Sequence, residues 1–152
     1  MDNYYEKYDP FDKVTEILGI VKEYAPQAVI SQGEGYDQSS GEDYKYICLT
    51  NQAEDKLLID ITSEITIFFG KWHAHYGDII GEYEEFLSDL KGILRNEKFA
   101  VCTSFNGEWI GSYLFEAREL DIKYLREEVG PNKKIFCSFW DSTKNVVFDA
   151  EL

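Results

Sequence analysis

Apolar residues along this chain fall into two rhythms, one helical and one extended. Val14, Ile17, Leu18 and Val21 recur at i, i+3, i+4 and i+7, the stripe of an amphipathic helix. Asp9 stands where a cap belongs, Pro10 opens the first turn, and Pro26 lies beyond the end. A longer stripe joins Ile79, Tyr83, Phe86, Leu87, Leu90, Ile93 and Leu94, with Asp78 placed to cap it. Glu82, Glu84, Glu85, Ser88, Asp89 and Lys91 cover its other side. "LDIKYLREEVGP" predicts a third, shorter helix closed by Gly130 and Pro131.

Between the helices the rhythm shortens to two, the period of a pleated strand. Strands are predicted over Tyr44–Thr50, Lys56–Thr62 and Glu64–His75, the last bent or bulged at Gly70. "AVIS" predicts a short buried strand or connector, and the polar run Gln32–Asp43 an exposed loop. "KFAVCTSF" and "EWIGSYLFEA" flank Asn106-Gly107, a strong hairpin signal. Within that hairpin, Trp109 and Tyr113 are expected to fill the core. "KIFCSFW" and "NVVFDA" supply a final pair around the turn "DSTK". The order is therefore one helix, three strands, a helix, two strands, a helix and two strands. Short links between strands require antiparallel pairing. The expectation is an α+β fold: a single domain over residues 1–152, with one curved, mostly antiparallel sheet and helices packed on one face.

Charge sharpens this picture. The chain of 152 residues carries 29 acidic and 15 basic side chains, a net charge of -14. Residues 1–92 hold a net -12 and residues 93–152 a net -2. Such a field repels nucleic acid and anionic membranes and attracts cationic partners. Aromatic residues reach 16%, enough for both a core and a binding surface. Cys48, Cys102 and Cys137 lie in strand-like apolar runs without a CxxC spacing, the pattern of buried thiols in a reducing compartment. The start "MDNYYEKYDP" is acidic and polar, unlike a signal peptide, and no apolar run approaches spanning length. A cytoplasmic protein is expected.

The segment "FFGKWHAHYG" holds both histidines, and residues two apart on a strand share a face. His73 and His75 thus point to one side, with Trp72, Ala74 and Tyr76 on the other. With Asp78 nearby they form a partial metal set, but a zinc site needs three or four ligands, and no HExxH or adjacent cysteine supplies them. A histidine base would need a nucleophile, and Ser63, Ser104 and Ser112 carry no GxSxG elbow. "GEGYDQSSG" lacks a P-loop lysine and is acidic, which opposes phosphate. Glu84 and Glu85 sit on a solvated helix side. No catalytic residue, metal or cofactor is assigned.

Phe69-Gly70-Lys71-Trp72-His73-Ala74-His75, then an acidic amphipathic helix, then Gly107-Glu108-Trp109-Ile110-Gly111-Ser112, resemble a pattern in small bacterial immunity proteins of polymorphic toxin systems. The resemblance covers about residues 56–116. It implies an antidote that binds a toxin, commonly a nuclease, and blocks it. The residues themselves independently favour a surface of acids that steer and aromatics that anchor. The candidate partner-binding residues are Glu82, Glu85 and Asp89 on the second helix, Glu34, Tyr36 and Asp37 in the polar loop, and His73 and His75 at the rim. The expected partner is a basic protein. The alternatives are a metal-assisted hydrolase using His73 and His75, or a non-catalytic regulatory or structural subunit. The oligomeric state stays open.

Overall fold

The computed structural model describes residues 3–150. Its Cα trace forms two compact units. One runs to Phe69 and resumes over His73–Lys91; the other takes Gly70–Trp72 and the chain from Gly92 onward. The fold is α+β, and every strand pairing of known register is antiparallel. The strands do not merge into the one curved sheet expected. They form a five-stranded sheet of β1 (Val29–Asp37), β2 (Glu42–Thr50), β3 (Lys56–Ile61), β4 (Ile65–Phe69) and β5 (Trp72–Tyr76) in that order, and a four-stranded sheet in the order β7 (Glu108–Glu116), β6 (Lys98–Phe105), β8 (Lys134–Ser138) and β9 (Val146–Phe148).

Two segments also differ from the strands expected. The polar run Gln32–Asp43 is not a loop: β1 (Val29–Asp37) continues through it and turns into β2 (Glu42–Thr50). Its glycines, which read as loop punctuation, sit opposite tyrosines, Gly33 against Tyr46 and Gly35 against Tyr44. A Cβ on either glycine would stand 2.6 Å from the facing tyrosine ring or hydroxyl, so glycine makes room for the aromatic. Glu64–His75 likewise is not one bent strand. β4 (Ile65–Phe69) and β5 (Trp72–Tyr76) are separated at Gly70, whose φ of 59° is a turn conformation, not a bulge.

In the five-stranded sheet, register assigns each residue a face. Ile59 pairs Ile47 on one side and Ile67 on the other, and Leu57 likewise pairs Leu49 and Phe69; all six are buried. Two helices lie on this side. A 3₁₀ turn at Pro10–Lys13 leads into α1 (Val14–Tyr24), with Asp9 accepting from the Phe11 N–H at 3.0 Å. Lys45, on the same face, puts its Nζ 5.6 Å from the Phe11 ring. α2 (Ile80–Leu94) meets the sheet where Phe86 packs edge-on against Tyr76, ring centroids 5.4 Å apart. Its buried Tyr83 also donates to Glu16 of α1 at 2.8 Å. The start of α2 is satisfied differently from the expected Asp78 cap. The N-terminal segment crosses it, and the carbonyls of Glu6 and Tyr4 accept from the N–H groups of Ile80 and Gly81, each at 2.8 Å. Asp78 binds Lys7 at 2.9 Å, which holds its carboxyl below the usual range.

The second unit pairs β6 (Lys98–Phe105) with β7 (Glu108–Glu116) through Asn106-Gly107, both at positive φ as this turn requires. β8 (Lys134–Ser138) and β9 (Val146–Phe148) complete its sheet. α3 (Ile122–Val129), capped by Asp121 and ended at Gly130, contributes Leu125 and Val129 to a core with Phe99, Val101, Ile135 and Phe139. Tyr113 packs against that core, but Trp109 does not fill it: its side chain is 50% exposed and rests edge-on against Phe136. A bulge beyond Thr103 shifts the register there, turning Trp109 away from the face that Tyr113 occupies.

Candidate functional site

The other face of the five-stranded sheet is set by the alternate residues of the same strands. Register brings Gly33, Tyr46, Asp60 and Thr66 into one row across four strands. β3 (Lys56–Ile61) holds Asp60 at the centre of that row. His75 extends it, with Nδ1 2.9 Å from Thr66 Oγ1. A neighbouring row contains Leu58 and Phe68, and Phe68 stacks on His73 with centroids 5.6 Å apart. Tyr44, Tyr46, Leu58 and Asp60 are half-buried, while Phe68, His73 and His75 are exposed. Of the described strand residues on this face, Lys56 at the far end of β3 alone carries a fixed positive charge.

A groove of about 610 Å³ opens here, lined by Asp37, Glu42, Tyr44, Tyr46, Leu58 and Asp60 among others. Its carboxylates differ. Asp37 accepts from the Ser39 hydroxyl at 2.7 Å and from its N–H at 2.9 Å, and these bonds hold its carboxyl below the usual range. Glu42 reaches the Ser63 hydroxyl at 3.4 Å. Burial pushes the Asp60 carboxyl up, offset in part by a backbone N–H. No cation among the described residues pairs with Asp60.

The histidines point to one side as expected, with Ala74 and Tyr76 opposite. Their surroundings do not assemble a catalytic relay. Glu64 Oε1 lies 3.1 Å from His75 Nδ1, the same nitrogen that meets Thr66. A nucleophile–base–acid relay needs its two partners on opposite ring nitrogens. Here one nitrogen meets both, and Thr66 is 6% exposed. Among the described residues no three His, Cys, Asp or Glu side chains are placed to share a metal ion. The cysteines are free thiols; Cys137 is buried, whereas Cys48 and Cys102 are only half-buried, contrary to expectation.

The sequence-predicted binding residues separate into three places. On α2, Glu82 takes the Gly77 N–H at 3.0 Å, Asp89 takes the Tyr76 hydroxyl at 2.6 Å, and Glu85 takes the Tyr4 hydroxyl at 3.1 Å. Glu82 and Asp89 thus hold the ends of the β5–α2 connection instead of standing free in solvent. Glu34 and Tyr36 lie on the helix-side face of β1, lining a second hollow of about 540 Å³ with Phe11 and Lys45. Asp37, His73 and His75 are on the open face. Glu42 was visible only as one of the acids of the polar run, and Tyr44, Tyr46, Leu58 and Asp60 were not singled out by sequence. A signal was present: the Gly-x-Gly of 33–35 matches the Tyr-x-Tyr of 44–46 across a hairpin, and Asp60 interrupts the apolar run Leu57–Ile61.

No family model, curated protein or solved structure matches this chain.

Proposed function

We propose that this protein is a non-catalytic binding protein of the immunity type, which docks on a cationic toxin domain, a nuclease, and occludes its active site. One observation carries this reading: the open face of the five-stranded sheet combines aromatic rings with carboxylates and almost no positive charge. Aromatic side chains anchor protein interfaces, and a field of net charge -14 accelerates encounter with a basic partner. The resemblance of 69–75 and 107–112 to immunity proteins agrees with this chemistry. Docking then belongs to the open face, with Asp37, His73 and His75, more than to the α2 acids, because Glu82 and Asp89 already bond within the fold.

The test is co-expression. The product of the neighbouring gene, or its C-terminal domain, is induced in a bacterial host with and without the chain. Restored growth together with a stoichiometric complex is expected. Its association rate should fall steeply with salt, as steered association does, and should drop with Glu42→Lys. An unrelieved toxicity, an association rate indifferent to salt, or turnover of a substrate by the purified chain would refute the reading.

A further inference from the structure

Resting on the binding role just described, we propose that the groove on the open sheet face is an arginine pocket, which takes a guanidinium from the partner against Tyr46 and onto the carboxylates of Asp60 and Glu42. Tyr46 and Asp60 are directly cross-strand, so their Cβ atoms stand about 5 Å apart. Both line the same groove, as does Glu42, so a planar cation held there meets an aromatic ring and carboxylates together. Arginine uses both kinds of contact at once, stacking its plane on an aromatic face and forking two N–H groups onto one carboxylate.

Three further features select this occupant. The tyrosine rings are seated over Gly33 and Gly35, where a Cβ would stand 2.6 Å away, so the platform exists before the partner arrives. Leu58 lines the floor and offers apolar surface to the arginine stem. Asp60 is half-buried and, among the described residues, has no cation of its own. A carboxylate desolvated without a counter-charge is costly, and a guanidinium from outside removes that cost. Lysine fits less well. Its ammonium is more strongly hydrated and has no plane to stack. Anionic ligands are opposed by the carboxylates of Asp37, Glu42 and Asp60. The groove volume of about 610 Å³ suits one side chain and its flanking peptide.

The experiment is an NMR titration of the isolated chain with N-acetyl-arginine amide, its lysine counterpart, and the neutral citrulline derivative. Backbone amides of Tyr46, Leu58 and Asp60 are expected to shift with arginine, at an affinity on the order of millimolar for one side chain. Lysine should bind about tenfold more weakly and citrulline not at all. Asp60→Asn, which removes charge without volume, should abolish the response. Gly33→Ala, which drives the Tyr46 ring from its seat, should weaken it while the remaining amide spectrum stays folded. Equal responses to arginine and lysine, shifts confined to residues outside the groove, or an unchanged response in Asp60→Asn would overturn the assignment. Because the titration needs no toxin, its failure leaves the co-expression result standing, and arginine binding without protection of the host would refute the immunity role alone.

Discussion

Asp89 was expected to face a partner, yet it accepts a 2.6 Å hydrogen bond from Tyr76, a residue only 5% exposed. Tyr76→Phe tests whether that contact is structural. The substitution keeps the ring and its edge contact with Phe86 and removes only the donor. Burial, with the Asp89 bond adding to it, holds the Tyr76 phenol far above its ordinary value, so the hydroxyl donates throughout the neutral range. A hydrogen bond to a charged acceptor contributes about 1.5–3 kcal/mol. Asp89 has a further interaction besides Tyr76 and is not orphaned by the change, which favours the lower end, about 1.5–2 kcal/mol. In a chain of this length that corresponds to a fall in Tm of roughly 3–8 °C. Urea unfolding of parent, Tyr76→Phe, Asp89→Asn and the double variant closes a cycle, with an expected coupling of at least about 1 kcal/mol. A Tyr76→Phe variant within about 0.5 kcal/mol of the parent, or two single effects that simply add, would refute the reasoning and return Asp89 to the pool of free surface acids.

Two further outcomes follow from the titrating groups. Asp60 has a folded value above its unfolded one, so its ionised form costs stability at neutral pH, and the cost is relieved as pH falls through the raised value toward the ordinary carboxylate range. Asp60→Asn should therefore raise the urea midpoint at pH 7, with the gain shrinking through the acidic carboxylate range; an equal gain at both ends would contradict this origin. Burial pushes the Cys137 thiol up to about 12, so in native protein at pH 8 it should resist a disulfide reagent and react only on unfolding, as a mass-resolved time course would reveal. Labelling of Cys137 at the rate of an exposed thiol would show that the second unit opens far more readily than its packing implies.

Element type was legible wherever a local period was long enough to be unambiguous. The stripe from Ile79 to Leu94 could only be a helix, and Asn106-Gly107 could only be a tight turn, because both depend on neighbours a few residues away. The antiparallel α+β class followed from the short links. The same local reasoning failed at Gln32–Asp37, where two glycines and several polar residues outweighed the strand pattern. What makes that segment a strand is Tyr44 and Tyr46 lying over the glycines, a contact between partners nine and thirteen residues apart. With β1 missing, the open sheet face was invisible, and so was the groove.

Composition alone determined that the chain is strongly acidic, rich in aromatics and able to bury a core, because those are sums over residues and need no geometry. The face shared by His73 and His75 was also fixed locally, since alternation along a strand sets it. Which acids remain free was a tertiary decision. Glu82 and Asp89 are chemically equivalent to the groove carboxylates, but folding brings a backbone N–H to one and a tyrosine hydroxyl to the other, while strand register leaves Asp60 beside Tyr46 without a counter-ion among the described residues. Charge is written in the sequence; whether a charge is already satisfied depends on groups that only the fold brings within three ångströms or so.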